Sequence, residues 1–359
     1  MESLRVLTVI GPLVTGGAEK LLIEYLPILK KKGINTDLAI LSSNYSPFIE
    51  ILRKQNIKII QFNRKNPYNP LSIFKLRNLI KKYDIVHAHL TPAQVQCRIA
   101  SVGLNINLIT TEHSTTNRRS GYFWGRLFDI WLYNKYKSII ACSNEVKSSL
   151  DKQIRTSRKI KIINNGIVLN KYENASPIIT SSKKDVFTVI MVGRLKFPKD
   201  QETIIKAINI LPENFEFIIV GDGPNKERLL NLIKVLGLEK RIRMVGNQEN
   251  VEEWLKSTDL YIHASHYEGL PLSIIEAMAA GLPIVASDVK GIRNLVKDNG
   301  VLFQDANYKE LADIILDIYN HPTKKQLLIS QSKQMVSNFD INLMVDEYIN
   351  TYKNINFSR

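Results

Sequence analysis

The sequence predicts an α/β protein made of two doubly wound units, each a parallel sheet covered by helices. Three observations carry this. Short apolar, β-branched runs alternate with longer amphipathic stretches, the pattern of strands and their covering helices in a parallel sheet. The chain has 359 residues, enough for two domains of about 150 to 200 residues with real cores. A polar stretch, KYENASPIITSSKKD (171–185), reads as a linker, and the pattern restarts after it with FTVIMVGR (187–194). The expected units are therefore 1–170 and 171–340, with an amphipathic stretch, INLMVDEYINTYKN (341–354), beyond them.

RVLTVI (5–10) is the first strand. The loop GPLVTGGAEK follows it and leads into a helix that runs to about Lys32. Gly16 and Gly17 would let a ligand approach the backbone closely, and Glu19 opens the helix. The bland alternative is a tight turn. The loop lacks the spacing G-x-G-x-x-G, so NAD is not indicated. Further strands are expected at TDLAIL (36–41), IKIIQF (57–62), DIVHAH (84–89), NLITTEH (107–113), SIIACS (138–143) and IKIINN (160–165). His87 and His89 share one face of their strand, being two apart. In doubly wound sheets ligands bind outside the carboxyl ends of strands, where His89 and His113 fall. His87 reads as structural. No His or Cys group has zinc-ligand spacing.

RRSGYFWGRLFDIWLYNKYK (118–137) carries seven aromatics and five Lys or Arg. Aromatics with snorkelling basic residues suit a membrane interface. The preferred reading is a helix burying Phe123, Leu127, Ile130 and Tyr133 against the sheet, with a rim that could still touch lipid.

In the second half, GRLKFPKD places Arg194 and Lys199 five apart across a loop, with Pro198 leading into the next helix. Two fixed cations at a strand end suit a diphosphate; two ordinary surface charges are the alternative. EFIIVGDGP (216–224) is a strand with a glycine turn, and IRMVGNQENVEEWLKSTDLYIHAS follows. Then comes HYEGLPLSIIEAMAAGLPIVAS (266–287), in which seven residues separate Glu268 from Glu276. Gly269 and Pro271 turn the chain, and Leu272 or Ser273 opens a helix. A helix N-terminus presents unpaired N–H groups and the positive end of a dipole. Two carboxylates flanking it would repel a bare phosphate. They make sense as acceptors from sugar and ribose hydroxyls, with the N–H groups holding a diphosphate between them. The alternative is a capping box between Ser273 and Glu276. Glu276 and the flanking prolines argue against a membrane span.

The net charge of +15 is unevenly placed. Residues 1–170 hold 26 Lys and Arg against 10 Asp and Glu; residues 171–359 hold 23 against 24. The first part, net +16, is expected to face something anionic, and Lys30, Lys31 and Lys32 stand in a row there. No nucleic-acid motif accompanies the charge, so an anionic membrane or a phosphorylated acceptor is the expected partner. The N-terminus reads as a strand and not as a signal peptide, which favours a cytoplasmic protein with Cys97 and Cys142 reduced.

These motifs together resemble the family-4 glycosyltransferases, retaining enzymes of the GT-B fold. The resemblance rests on the GGAE loop, NNGI (164–167), GRLKFPKD, VGDGP, and above all EGLPLSIIEAMAAGLPIVAS. It implies two Rossmann-like doubly wound domains with the active site in an interdomain cleft. The helix 341–359 would cross back to complete the first domain. The acceptor would sit on that domain, near His89. The nucleotide-sugar donor, a UDP-sugar or GDP-mannose, would sit mainly on the second. Gly16, Gly17, Arg194, Lys199, Val245, Gly269, Leu270, Leu272 and Glu276 would bind the donor. His113, Arg194, Lys199 and Glu268 would be catalytic. Arg194 and Lys199 would neutralise the leaving group in place of a metal, since no Asp-x-Asp occurs, and no cofactor is implied. The acceptor would be a glycan or lipid-linked glycan of surface polysaccharide synthesis, met at the inner face of the cell membrane. Two positions depart from the family pattern: Asp200 stands where glycine is usual, and KGIRNLV has Gly291 alone, with Asn294 in place of an acid. A nucleotide-sugar 2-epimerase of the same fold and a non-catalytic partner subunit are the alternatives.

Overall fold

The computed structural model describes residues 4–13, 16–42, 46–62, 66, 69–114, 122–154, 159–178 and 185–357. The chain divides into two compact units, 1–166 with 341–359, and 167–340.

The first unit runs β1 (Arg5–Ile10), α1 (Gly17–Lys31), β2 (Asn35–Ile40), α2 (Pro47–Lys54), β3 (Lys58–Gln61), α3 (Leu71–Ile80), β4 (Ile85–His89), α4 (Leu90–Ala100), β5 (Asn107–Glu112), α5 (Phe123–Asn134), β6 (Ser138–Ala141), α6 (Asn144–Ile154) and β7 (Ile160–Ile162). The strands form one sheet in the order β3-β2-β1-β4-β5-β6-β7. Every pairing is parallel, with Ile10 opposite His89 and His89 opposite Thr111. The apolar runs are continuous because both faces are covered: every residue of β4 and β6 is buried. The strand order reverses between β1 and β4. The loop at Gly16 and the residue His89 leave the sheet there, at a topological switch point.

The second unit runs α7 (Leu169–Glu173), β8 (Phe187–Val192), α8 (Gln201–Ile210), β9 (Phe215–Val220), α9 (Lys226–Val235), β10 (Ile242–Gly246), α10 (Val251–Lys256), β11 (Leu260–His263), α11 (Leu272–Ala280), β12 (Ile284–Ser287), α12 (Arg293–Val296), β13 (Val301–Phe303), α13 (Tyr308–Asn320) and α14 (Pro322–Val336). Its sheet is also parallel, ordered β10-β9-β8-β11-β12-β13, with its switch point between β8 and β11. The last helix, α15 (Ile341–Phe357), belongs to the first unit. It buries Val345, Tyr348 and Tyr352 completely, and the Tyr352 hydroxyl lies 2.8 Å from Nδ1 of His87.

Two expectations are corrected. The segment 171–185 is not the connection between units, because the division falls between Gly166 and Ile167. Its polar composition hides Tyr172, which is fully buried beside Ile274 and Ile275 in the second core; residues 179–184 lie outside the described set. The second correction concerns α5. Phe123, Leu127, Ile130 and Tyr133 were expected to face the sheet; Tyr133 is buried, but the other three are 70%, 43% and 39% exposed. Leu132 and Tyr136 join Tyr133 on the inner side. The tyrosines decide the rotation. The Tyr133 hydroxyl donates to Glu112 at 2.5 Å and the Tyr136 hydroxyl to the Gln94 carbonyl at 2.7 Å, so each buries a ring without stranding its polar tip. Residues 118–121 of that stretch lie outside the described set.

Candidate active site

In the second unit, the loops leaving β8 and β11 converge at the switch point. Leaving β8, Gly193 donates its N–H to Val220, and Arg194 lies exposed, its carbonyl accepting from Gln201 Nε2 at 3.1 Å. A Cβ on Gly221 would fall 2.1 Å from the Gly193 carbonyl oxygen, so only glycine lets the two loops pack backbone on backbone. Asp200 costs this loop nothing. Its φ is −122°, which any residue adopts, and its carboxylate caps α8 by accepting from the Thr203 N–H at 3.2 Å.

Lys199 ends that loop inside a buried polar cluster. Its ammonium lies 2.5 Å from Oε1 of Glu268 and 2.9 Å from Nε2 of His263. The donors close in one direction. The Tyr261 hydroxyl reaches the Val192 carbonyl at 3.5 Å, and its oxygen lies 3.0 Å from Nδ1 of His263. With that proton on Nδ1, Nε2 of His263 is left to accept from Lys199. Burial and then the Lys199 charge push the His263 pKa down to about 4, so the ring is neutral. Burial by itself would raise the Glu268 carboxyl, but Lys199 overrides it and holds it well below the carboxylate range. The cluster is thus an ammonium fixed by two acceptors, with its third N–H directed elsewhere.

Glu268 is placed by backbone. Its N–H donates to Lys290 at 3.2 Å. Gly291, at φ +84°, packs so closely that a Cβ would lie 2.1 Å from the Glu268 carbonyl oxygen. The helix α11 opens at Leu272, with Pro271 before it and no side-chain cap. Ser273 is the second helical residue, so the capping box with Glu276 is not formed. Glu276 lies one turn in and is 4% exposed. Gly269 is buried on the approach to this N-terminus, and Leu270 and Leu272 are half-buried against the second core. Val245 lies on β10, its carbonyl accepting from Gln248 Nε2 at 2.6 Å.

The first unit carries its own buried polar cluster at its switch point. His89 Nε2 lies 3.0 Å from the Tyr25 hydroxyl, and His89 Nδ1 lies 3.3 Å from Nε2 of His113. His87 bridges Tyr352 and Thr111, the latter at 2.7 Å. Burial pushes His113 down to about 4, and burial plus the His113 charge push His87 to about 3. His89 is driven well below its ordinary range by burial, then His87, then His113. All three are neutral at pH 7. His89, expected near the acceptor, is completely buried, and both its ring nitrogens are engaged, by Tyr25 and His113. Among the described residues, Nδ1 of His113 is sheltered and has no hydrogen-bond partner. Leu90, just after His89, sits at φ +67°, a costly conformation for leucine. Gly16, extended at φ −165°, precedes α1 with no side-chain cap, and Gly17 is its first residue.

The profile of group 1 glycosyl transferases matches residues 174–335, and that of glycosyltransferase family 4 matches residues 15–171. The chain belongs to the family-4 glycosyltransferases. It is 28% identical over 350 residues to an uncharacterized glycosyltransferase of Haemophilus influenzae, covering 93% of this chain and 95% of that one. It is 27% identical over 350 residues to an Escherichia coli UDP-Gal:α-D-GlcNAc-diphosphoundecaprenol α-1,3-galactosyltransferase, covering 90% of this chain and 87% of that one. Among solved structures, Anabaena HepE in complex with UDP superposes with a TM-score of 0.85 at 23% identity, over 98% of this chain and 100% of that one. The fold of this glycosyltransferase is therefore GT-B.

Of the site residues expected from the sequence, tertiary structure joins Lys199 to Glu268, and His89 to His113. Arg194, among the described residues, makes no side-chain hydrogen bond or ion pair. His263 and Tyr261 were missed. Their signal was a histidine ending the strand LYIH at the switch point, two residues after a tyrosine on the same face. Asp200, His266 and Asp305 bring one potential metal ligand each within 4.8 Å of the others. Each of them has another partner: His266 bonds both Asp305 oxygens, and Asp200 caps α8.

Proposed function

We propose that this glycosyltransferase moves a hexosyl or N-acetylhexosaminyl group from a UDP-sugar to a lipid-linked glycan, with retention at the anomeric carbon and without a metal ion. The observation that carries this reading is the Lys199–His263–Glu268 cluster beside the uncapped N-terminus of α11. A departing nucleoside diphosphate needs fixed positive charge. Lys199, Arg194 and the N–H groups of Gly269, Leu270 and Leu272 supply it as preorganised donors. Glu268, kept anionic, accepts from sugar hydroxyls, and Glu276 accepts from the ribose diol. Val245 lies by the base. In the first unit, His113 carries a neutral ring just beyond β5, and Gly16 and Gly17 open α1. The bond from C1 to the diphosphate breaks while the acceptor hydroxyl attacks from the face the leaving group vacates and passes its proton to the departing diphosphate oxygen, so no protein nucleophile is assigned.

UDP as the nucleotide is supported by the galactosyltransferase, named for UDP-Gal, and by HepE, crystallised with UDP-glucose. The lipid-linked acceptor is supported by the diphosphoundecaprenol in the relative's name and by the charge of the first unit. That unit nets +16 and the second −1. No helix among the described residues is long and apolar enough to cross a membrane. The basic charge of the first unit supports meeting a lipid-linked acceptor at an anionic membrane surface, the cytoplasmic face in this reading. Each basic residue near an anionic bilayer contributes about 1 kcal/mol, so docking by several is reversible and salt-sensitive.

The test incubates the protein with a panel of UDP-sugars and GDP-mannose, with and without a diphospholipid-linked N-acetylhexosamine acceptor. An α-linked product that forms with EDTA present is the expected result. Loss in EDTA restored by Mg²⁺ overturns the leaving-group assignment. Release of a free 2-epimer without acceptor overturns the transferase reading.

A further inference from the structure

The helix α5 turns its apolar side outward. Phe123 (70% exposed), Trp124 (78%), Leu127 (43%), Ile130 (39%) and Trp131 (41%) follow the spacing i, i+1, i+4, i+7, i+8, which is one face of a helix. Tyr122, just before it, is 72% exposed. The opposite face packs inward through Asp129, Leu132 and Tyr133. A solvent-facing row of two tryptophans, a phenylalanine, a leucine and an isoleucine is not an ordinary surface. It is the inverse of the amphipathic helix that covers a sheet.

The charges around the row show what it fits. Its only acid, Asp129, is completely buried, so the outer face carries no negative charge. The basic groups Arg126, Lys135 and Lys137 lie on or just beyond the helix, and the Arg98 guanidinium stacks over the Trp131 ring at 4.8 Å. Aromatic and aliphatic side chains ringed by cations match the boundary between acyl chains and anionic headgroups. Lys30 and Lys32, by contrast, are drawn into contacts with the Asn56 carbonyl and with Asp346.

We infer that α5 lies in the plane of an anionic membrane and inserts Phe123, Trp124, Leu127, Ile130 and Trp131 into its interface. The inference rests on the peripheral-membrane reading above and deepens it. Electrostatics bring the basic unit to the surface, and this face turns a salt-sensitive encounter into an oriented one. Insertion sets the height of the first unit over the bilayer, so a lipid-linked acceptor meets it in a fixed register.

The chain's tryptophans make the test direct. They number three: Trp124 and Trp131 on α5, and Trp254 on α10, whose indole N–H reaches Gln248 Oε1 at 3.3 Å. In a Trp254→Phe protein all tryptophan emission comes from α5. Vesicles of phosphatidylglycerol with phosphatidylcholine, carrying brominated acyl chains, are added to it. The expected result is a blue shift and strong quenching, greatest with bromines nearest the headgroup, and absent with pure phosphatidylcholine. A Phe123→Ala, Leu127→Ala pair, which leaves both indoles in place, should weaken vesicle partitioning about tenfold or more. Co-sedimentation with anionic vesicles without quenching overturns insertion but leaves electrostatic docking standing. No co-sedimentation at low salt overturns both. A dimer that forms without lipid and is lost in the Phe123→Ala, Leu127→Ala protein assigns the face to a second copy, and overturns the inference.

Discussion

Replacing Lys199 with methionine removes the cation that holds Glu268 and His263 together while keeping a chain of similar length. In the native protein the Glu268 carboxyl is depressed, so its contribution to stability is complete above the unfolded value near 4.3 and is lost only as pH falls toward the folded value. His263, depressed to about 4, likewise stabilises fully above about 6.5 and less below it. Without Lys199 both trends turn. Burial drives the carboxyl up, and the histidine, freed from the neighbouring ammonium and still 3.2 Å from Glu268, gains a partner for its charged form. Whichever group takes it, the folded variant binds about one more proton than the native fold. Its deficit therefore grows with pH, by up to about 1.4 kcal/mol per unit while that proton is being lost. Above this range the deficit approaches the cost of stranding a buried charge, about 3–5 kcal/mol, taken at the low end because Lys199 and Glu268 are 17% and 16% exposed. For a unit of this size that is a drop of roughly 10 °C in the melting temperature at pH 8, shrinking to a few degrees at pH 5. Differential scanning calorimetry of both proteins from pH 5 to 8, without nucleotide, reads this directly. A deficit constant with pH, or largest at pH 5, refutes the charge assignment of the cluster.

Three further outcomes are expected. Glu276→Gln, a side chain of the same size, weakens UDP binding by about 1–3 kcal/mol in calorimetric titration, and an unchanged affinity speaks against a nucleotide contact there. Gly291→Ala forces a Cβ against the Glu268 carbonyl at φ +84°; it lowers the melting temperature and reduces turnover by about a hundredfold, read in a coupled UDP-release assay. The first unit loses stability as pH falls from about 6.5, because His87, His89 and His113 are neutral when folded and must each gain a proton on unfolding. Urea titrations at pH 7 and pH 5 should show it, and a midpoint that rises on acidification speaks against a neutral trio.

The sequence by itself determined the architecture. Short runs rich in β-branched residues, such as RVLTVI and FTVIMV, read as strands buried on both faces, and the long amphipathic stretches between them supply the crossovers that parallel strands need. It also singled out Lys199 and Glu268, which the fold brings into contact, and the glycine and proline that lead into α11 without a side-chain cap. What it left undecided were matters of rotation and of distant packing. Lys199 meets His263 across sixty-four positions, and nothing near either residue signals the other. Gly291 looked like the remnant of a glycine pair until its contact with Glu268 gave it a steric reason. For α5, two sets of apolar residues on opposite sides could each have faced the sheet. Tyr133 and Tyr136 face inward, where Glu112 and the Gln94 carbonyl accept from their hydroxyls, and Trp124 and Trp131 lie outside.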